Sequence, residues 1–198
     1  MGKNKAVFID RDGVINEILY FPDMGRIDTP FHPDQFRLLP KVPEAVRLIN
    51  EMGYKAIVVS NQPGISRNNF SEEILSRIDE KMRALVSAGG GKLDAIYYCR
   101  HHPDGTNPLY RMSCECRKPK PGLFLQAARD LDIDLPSSYV VGDGFIDIEA
   151  GQAAGCKTIL IGRRKCDLCR FMEDMNVHPG ALVADLLEAV KMIRAGGF

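Results

Sequence analysis

Two aspartates with spacing suited to a shared reaction follow the first apolar stretch of the chain. Asp10 and Asp12 come directly after Val7-Phe8-Ile9 and just before Gly13. Such a run is typical of a strand buried on both faces of a parallel sheet, and open α/β sheets bind ligands at the carboxyl ends of their strands. Side chains alternate along extended backbone, so both carboxylates can point the same way. Paired carboxylates often share a divalent cation. We therefore predict a metal-assisted site with one aspartate as nucleophile or ligand and the other as acid–base group.

Two further strand patterns end in polar residues that could share this site. Ser60 follows the apolar run at 56–59, and Asp143 follows the run at 139–141. Each has an ordinary alternative, since Asp143-Gly144 could form a turn and Ser60 could cap the next segment. In a parallel sheet, however, the carboxyl ends of the strands lie along one edge. We therefore expect Asp10, Ser60 and Asp143 to lie in one crevice.

A second group of residues has the composition of a metal site. Cys99, His101, Cys114 and Cys116 supply three sulfurs and one imidazole, a set that suits tetrahedral Zn²⁺ with no open position. His102 is the alternative imidazole ligand, and incidental free cysteines are the alternative to a metal. The loop over 99–120 has little apolar content, and structural zinc can supply roughly 10–16 kcal/mol of apparent binding energy. We predict a structural zinc here.

Basic residues and two more cysteines lie after this loop. Arg117 offers a planar fork to a phosphate or carboxylate, and Lys118 offers a point charge, although a solvated basic pair is the ordinary alternative. Cys166 and Cys169 are predicted to be free thiols, with a second metal site as the alternative. The neighbouring basic run at 163–165 is predicted to be solvated surface.

The elements that must position these residues alternate between strand and helix. Strand patterns cover 5–10, 56–59, 93–98, 139–141 and 158–161, and helix patterns cover 42–52, 71–88, 121–131, 146–154 and 181–194. This order predicts an α/β fold with a parallel sheet and right-handed crossovers, in one domain over 1–198. Residues 14–40 show no periodicity and are predicted to be a long loop of the kind that often carries function.

Charge and composition exclude several classes of protein. Lys+Arg and Asp+Glu are balanced at 26 each, so nothing overall favours binding to nucleic acid or to an anionic membrane. No apolar run approaches the ~20 residues of a membrane helix, and the first five residues leave no room for a signal peptide. We expect a cytoplasmic protein, in which cysteines are ligands or free thiols more often than disulfides.

These motifs together resemble the haloacid dehalogenase superfamily of phosphatases. The four motifs of that superfamily are similar to Asp10-Arg11-Asp12-Gly13, Ser60, Lys118, and Gly142-Asp143 through Asp147. The inserted Cys-x-His and Cys-x-Cys-Arg-Lys-Pro segments resemble a branch that contains histidinol-phosphate phosphatases and heptose bisphosphate phosphatases. The long interval between His101 and Cys114 is similar to the heptose enzymes. The resemblance runs from about Lys5 to Leu187.

For catalysis, the resemblance implies a two-step hydrolysis. Asp10 would be the nucleophile that forms an aspartyl-phosphate, and Asp12 would protonate the leaving oxygen and then take a proton from water. Mg²⁺ would be held by Asp10, by the main-chain carbonyl of Asp12 and by Asp143. Asp147 would support these ligands.

For substrate binding, the resemblance implies a small phosphorylated sugar. Ser60 and Lys118 would hold the transferred phosphoryl oxygens, Asn61 and Gln62 would lie near the substrate, and Arg117 would bind the rest of it, including a second phosphate. The implied fold is a Rossmann-like three-layer α/β/α monomer with a five- or six-stranded sheet. It has no large cap domain, so the zinc loop and the 14–40 loop would shape the pocket.

Two features depart from the heptose enzymes that the chain resembles. Gly144 stands where those enzymes carry a lysine after the fourth-motif aspartate, which removes a positive charge. The 14–40 loop is also longer than in those relatives. We therefore expect the surroundings of the substrate to differ more than the reacting groups.

Overall fold

The computed structural model describes residues 3–162 and 177–197 and forms a layered α/β structure. Its strands are β1 (Ala6–Ile9), β2 (Leu19–Phe21), β3 (Arg26–Asp28), β4 (Lys55–Asn61), β5 (Ala95–Cys99), β6 (Tyr139–Gly142), β7 (Lys157–Ile161) and β8 (Ala181–Val183). Its helices are α1 (Val42–Glu51), α2 (Glu72–Ala88), α3 (Gly122–Leu131), α4 (Phe145–Ala153) and α5 (Leu186–Arg194). Six parallel strands form one sheet in the order β5-β4-β1-β6-β7-β8, as the sequence predicted for the fold.

Strand β1 lies at the centre of this sheet because both of its faces are apolar. Its four residues are fully buried. Val7 and Ile9 face the core under α1, α2 and α5, whereas Ala6 and Phe8 face the core under α3 and α4. The Phe8 ring meets Phe124 edge-on, with the ring centres 5.2 Å apart. Packing on both faces fixes the end of β1, where the paired aspartates follow.

The predicted start of the final helix, at residue 181, is wrong. Residues 181–183 form β8, which pairs in parallel with β7, and the helix begins only after Asp185. The Asp185 carboxylate accepts a hydrogen bond from the Glu188 N–H at 2.9 Å and so caps the helix. The run Ala181-Leu182-Val183 is too short for its periodicity to distinguish a strand from the first turn of a helix.

The segment 14–40 is more ordered than the predicted loop. Strands β2 and β3 form an antiparallel hairpin, with Gly25 in the left-handed conformation (φ 59°) at its turn. Aromatic contacts hold the hairpin against the fold. The rings of Phe21 and Phe31 are stacked with their centres 4.5 Å apart, and the Phe31 ring is tilted against Phe70 with the ring centres 6.0 Å apart. Strands of three residues are too short to produce a readable alternation, which is why the sequence pattern missed them.

Two of the sequence predictions are not addressed by this structure. Cys166, Cys169 and the basic run at 163–165 lie outside the described residues. Among the described helices, none combines the length and the apolar character needed to cross a membrane.

Candidate active site

Three carboxylates meet where β1 and β6 end. Oxygens of Asp10, Asp143 and Asp147 lie within 4.8 Å of one another. Gly13 permits this approach, because a Cβ at that position would lie 2.0 Å from Oδ2 of Asp143, and its φ of +84° also favours glycine. Asp10 and Asp143 are thus brought together as predicted. Asp147, predicted as support for the ligands, lies in the same group.

The electrostatics of this group favour a cation. Burial raises the pKa of Asp143 to about 7, and the neighbouring carboxylates of Asp10 and Asp147 add to the rise. Carboxylate oxygens are the ligands that Mg²⁺ prefers, and a divalent ion would offset the crowded negative charge. The donor set therefore fits a hard divalent cation. The main-chain carbonyl of Asp12 was predicted to be a further ligand, and that role stays a prediction.

Lys118 is the positive charge that lies within this carboxylate group. Its ammonium, 3% exposed, donates to Oδ1 of Asp10 at 2.8 Å, to the main-chain oxygen of Val59 at 2.9 Å, and to Asp147. Burial alone would lower the pKa of Lys118, but Asp10 and Asp147 raise it above its ordinary value. The lysine therefore stays charged beside the predicted nucleophile. Asn61 holds the backbone of Lys118 in place. Its side-chain amide donates to the main-chain oxygen of Lys118 and accepts from the N–H of Lys118, both at 3.0 Å.

Asp147 also shapes the start of α4. Its Oδ2 accepts a hydrogen bond from the N–H of Gly144 at 3.1 Å, and its other oxygen accepts from Lys118. Burial raises the pKa of Asp147, and the lysine opposes that rise. Gly144 is the N-cap of α4 in an extended conformation. The Asp147 side chain thus connects the start of α4 to Lys118, which contacts the predicted nucleophile Asp10.

Asp12 lies beside the cluster of Asp10, Asp143 and Asp147 but has a separate network of hydrogen bonds. Its Oδ1 accepts from Thr29 at 2.7 Å and from Asn16 at 2.9 Å, and its Oδ2 accepts from Gln62 at 2.7 Å. The guanidinium of Arg11 donates to both oxygens at 3.1 Å. Burial alone would raise the pKa of Asp12, but Arg11 and these hydrogen bonds lower it below its usual value. The Asp12 side chain is 17% exposed.

Ser60 and Gln62 lie at the end of β4, in the predicted crevice. Ser60 is 2% exposed, and its hydroxyl oxygen accepts a hydrogen bond from Nε2 of Gln62 at 3.2 Å. Gln62 is itself fully buried and holds Asp12. The positions of Asn61 and Gln62 therefore make them supports for Lys118 and Asp12. Their predicted contacts with the substrate stay predictions.

Sequence reasoning missed two residues of this site. Arg11 was treated only as the variable position between Asp10 and Asp12, yet its side chain is fully buried. A basic residue between two aspartates that follow a buried strand is a usable signal, since buried arginine is nearly always paired. Thr29 carries no such signal, because only the hairpin brings it to Asp12.

The predicted metal-binding cysteines and histidine converge in the inserted loop. Sγ of Cys114 lies 3.5 Å from Cys99 and 3.2 Å from Cys116, and Nδ1 of His101 lies 3.8 Å from Cys99 and 3.4 Å from Cys116. A tetrahedral zinc with bonds of about 2.0–2.3 Å requires edges of roughly 3.3–3.8 Å, and the four distances lie in this range or within about 0.1 Å of it. The sulfurs are too far apart for a disulfide bond, which needs about 2.05 Å. The four residues could therefore hold one metal ion.

His102, the alternative ligand, lies outside this cluster. Its Nδ1 accepts from the N–H of Asp104 at 3.1 Å, and its Nε2 lies 3.2 Å from the Arg67 guanidinium. Partial burial and the charges of Arg117 and Arg67 lower the pKa of His102. Arg117 in turn donates to the main-chain oxygen of His101 at 3.2 Å, so it is attached to the metal loop.

Comparison with known proteins gives relatives over nearly the whole chain. A family model described as HAD-hydrolase-like matches residues 115–189. D-glycero-β-D-manno-heptose-1,7-bisphosphate 7-phosphatase of Photorhabdus laumondii is 39% identical over 190 residues, 96% of each chain, and that of Haemophilus ducreyi is 42% identical over 164 residues, 82% of this chain and 85% of its own. The crystal structure of D,D-heptose 1,7-bisphosphate phosphatase from B. bronchiseptica, complexed with magnesium and phosphate, superposes with a TM-score of 0.79 at 28% identity, covering 98% of this chain and 99% of that one.

Proposed function

The chain belongs to the family of the D-glycero-β-D-manno-heptose-1,7-bisphosphate 7-phosphatases, and we propose that it hydrolyses the 7-phosphate of such a heptose bisphosphate. One observation carries the proposal. The Lys118 ammonium donates to a carboxylate oxygen of Asp10. Oxygens of Asp10, Asp143 and Asp147 lie within 4.8 Å of one another. A carboxylate nucleophile, a fixed cation and metal-binding oxygens in one crevice are the parts that phosphoryl transfer requires.

In the first step, an oxygen of Asp10 attacks phosphorus and the bond from phosphorus to the sugar oxygen breaks. Arg11 and the hydrogen bonds favour the ionised form of Asp12 in the free protein, so Asp12 takes up a proton from solvent when the negatively charged substrate binds. It then gives this proton to the leaving oxygen, so the sugar leaves as an alcohol and an aspartyl-phosphate remains. The positive charge of the Lys118 ammonium stabilises the phosphoryl oxygens while their negative charge is redistributed. In the second step, Asp12 takes a proton from water, the water oxygen attacks phosphorus, and inorganic phosphate leaves Asp10 free again.

Two metals complete the proposal. Asp10, Asp143 and the main-chain carbonyl of Asp12 would hold Mg²⁺, which would supply positive charge between the nucleophile and the phosphoryl group. Cys99, His101, Cys114 and Cys116 would hold a structural Zn²⁺ that orders the loop leading to Lys118. Arg117, attached to this loop, is proposed to bind the distal phosphate of the substrate, with its planar fork matched to phosphate oxygens.

Phosphate release from two substrates tests the proposed function. Purified protein with Mg²⁺ should release one phosphate from D-glycero-β-D-manno-heptose 1,7-bisphosphate and leave the heptose 1-phosphate, with a kcat/KM at least about 100-fold above that for histidinol phosphate, a difference of about 2.7 kcal/mol. Histidinol phosphate is the informative competitor because the metal loop resembles both groups of enzymes. Comparable turnover of the two substrates, or preference for histidinol phosphate, would overturn the substrate assignment.

Asp10→Asn tests the reaction type in the same assay. The amide has nearly the same shape but is a far poorer nucleophile, so we expect turnover to fall below about 10⁻³ of wild type, with unchanged circular dichroism. Binding of heptose bisphosphate by a wild-type protein that releases no phosphate would instead indicate a catalytically inactive binding module. Retained turnover in Asp10→Asn would exclude Asp10 as nucleophile.

A further inference from the structure

A buried guanidinium contacts Asp12 and two of the side chains that donate to it, Thr29 and Gln62. One nitrogen of Arg11, Nη2, shares its two hydrogens among both oxygens of Asp12, Oε1 of Gln62 at 2.9 Å, and Oγ1 of Thr29. Arg11 is fully buried, and its guanidinium lies 5.6 Å from the centre of the Tyr98 ring. The Tyr98 hydroxyl donates to Asp79 on α2 at 2.6 Å. The arginine is thus held by packing and by contacts other than those to Asp12.

The donors and acceptors in this network have one consistent direction. Because Arg11 donates to Oγ1 of Thr29, the Thr29 hydroxyl proton is left to donate to Oδ1 of Asp12 at 2.7 Å. In the same way, Gln62 accepts from Arg11 through Oε1 and therefore presents Nε2 to Oδ2 of Asp12 at 2.7 Å. A hydroxyl and an amide can each point either way, and the arginine determines which way they point.

The two oxygens of Asp12 are held unequally. Oδ1 accepts from Thr29, Asn16 and Arg11, whereas Oδ2 accepts from Gln62 and Arg11. A carboxylate oxygen has about two acceptor positions, so both oxygens are filled, and Oδ1, which Nε of Arg11 also approaches at 3.3 Å, has more donors than positions. Oδ2 has fewer donors and is therefore the oxygen that more readily exchanges one of them for the leaving oxygen of the substrate.

Thr29 reaches this network only because the hairpin is fixed. It follows β3 directly, its N–H donates to Oδ1 of Asp28 at 2.8 Å, and the residue is 8% exposed. Asp28 pairs with Arg26 at 3.1 Å, and the Arg26 guanidinium lies 5.4 Å from the Phe31 ring. The hairpin segment therefore supplies a hydroxyl to the acid–base aspartate.

We propose that Thr29 and Arg11 are positioning residues for proton transfer, which lock Oδ1 of Asp12 so that Oδ2 faces the leaving oxygen of the substrate. This inference rests on the proposed phosphatase function. It assigns a catalytic purpose to the hairpin: through one threonine, the segment 14–40 sets the orientation of the group that protonates the departing sugar. No side-chain hydrogen bond among the described residues joins Asp10 or the Lys118 ammonium to Asp12, Arg11 or Thr29.

The experiment compares the turnover of two phosphate esters. The leaving group of one must be protonated, and that of the other need not be. An alkoxide such as a sugar oxygen must be protonated as it leaves, whereas nitrophenolate leaves as a stable anion, so acid catalysis matters far more for the first. Thr29→Val removes the hydroxyl at nearly constant shape. We expect its kcat to fall about 30-fold or more for heptose bisphosphate with KM within about twofold, and less than about threefold for p-nitrophenyl phosphate.

Two further variants control for structural effects. Thr29→Ser restores the hydroxyl and should recover at least about half of the wild-type kcat for heptose bisphosphate. Thr158→Val removes a buried threonine hydroxyl on β7, remote from Asp12 in the sheet, and should lower kcat for the two esters by equal factors if at all. Equal losses for both esters in Thr29→Val, or no loss for either, would overturn the proposal.

Failure of this inference is distinguishable from failure of the proposed function. The proposed function is judged by wild-type turnover of heptose bisphosphate, whereas the inference is judged by the ratio of alkyl to nitrophenyl ester rates among variants. If wild type prefers histidinol phosphate, the same ratio is measured with that alkyl ester. An unchanged ratio in Thr29→Val would then still overturn the positioning role.

Discussion

At the scale of single residues, the charge balance of the site depends on Lys118. Its ammonium lies 2.8 Å from Asp10 and also contacts Asp147, with both partners largely buried. Removing one member of a buried ion pair typically costs about 3–5 kcal/mol, because the remaining charge has no partner. The lysine should therefore affect both the reaction and the stability of the fold.

Lys118→Met should lower kcat by about 10²–10³ and the free energy of unfolding by about 3 kcal/mol at pH 7.5 without added Mg²⁺. The stability deficit should shrink toward pH 5. The pKa of Asp143 is already raised to about 7 by burial and its neighbours, so protonation of the crowded carboxyls relieves their repulsion as the pH falls. Urea unfolding at several pH values measures both effects.

Lys120→Met is the matched control for that variant. Lys120 pairs with Glu115 at 2.6 Å, but both side chains are largely exposed, and surface pairs contribute about 0–1 kcal/mol. This variant should keep its activity and lose at most about 1 kcal/mol. A Lys118→Met protein as stable at pH 7.5 as Lys120→Met would contradict the assigned charge balance.

Residues of the candidate site could be predicted where their chemistry lies in a local motif. The aspartates after β1 and β6, the serine after β4 and the cysteine–histidine set each stand out from their neighbours in the sequence. Thr29 could not be predicted, since a threonine in an irregular segment is ordinary until the hairpin brings it to Asp12. Arg11 shows the intermediate case, because its burial is specified by the sheet and the aspartate beside it.

At the scale of elements, the first turn of α2 connects the helix layer to the metal loop. The Ser71 hydroxyl accepts from the N–H of Ile74 at 3.2 Å and so caps the helix. The next residue, Glu72, accepts from the Tyr110 hydroxyl at 3.0 Å and pairs with Arg100. Fraying of this turn would therefore release contacts to the loop that carries Lys118.

Ser71→Ala should lower the free energy of unfolding by about 1 kcal/mol, because an N–H of the first turn loses its acceptor. Ser87→Ala, an exposed serine near the other end of the same helix, should change stability by at most about 0.5 kcal/mol. Urea unfolding with constant m-values measures both. Equal effects of the two substitutions would contradict the capping role.

Helices and strands were predictable in proportion to their length. The 17-residue α2 and the strands of the sheet centre carry strong periodicity or continuous apolar runs, and their positions agree with prediction within a few residues. The three-residue strands β2, β3 and β8 do not carry such a signal. Their pairing depends on neighbours distant in sequence, which no local window contains.

At the scale of the whole molecule, the metal loop links separate parts of the fold to the reacting groups. The N–H groups of Thr106 and Asn107 donate to the main-chain oxygen of Ser66 at 2.8 and 2.9 Å, in the segment that follows β4. The loop then continues through Cys116 to Lys118, whose backbone is held by Asn61. Loss of the metal should consequently disturb both stability and catalysis, although the metal itself does not react.

Cys114→Ser should remove the zinc and lower both the melting temperature and kcat. Wild-type protein should carry about one zinc per chain after purification, and the variant less than about 0.1, by elemental analysis. Structural zinc stabilises by several kcal/mol, and 1 kcal/mol corresponds to about 2–4 °C at this chain length, so a fall of at least about 6 °C is expected. Phosphate release should fall together with zinc content.

Cys156→Ser separates zinc loss from the effect of removing any buried thiol. Cys156 is 8% exposed and lies outside the four-residue cluster, so its substitution should cost some stability while zinc stays at about one per chain. Burial raises the pKa of this thiol to about 12, so it should also remain unmodified by iodoacetamide at pH 8 in the native protein. A zinc-free Cys114→Ser protein that melts like Cys156→Ser and keeps full activity would show that the loop orders itself without metal. The position of Lys118 would then have to be attributed to Asn61 and the contacts at Ser66 alone.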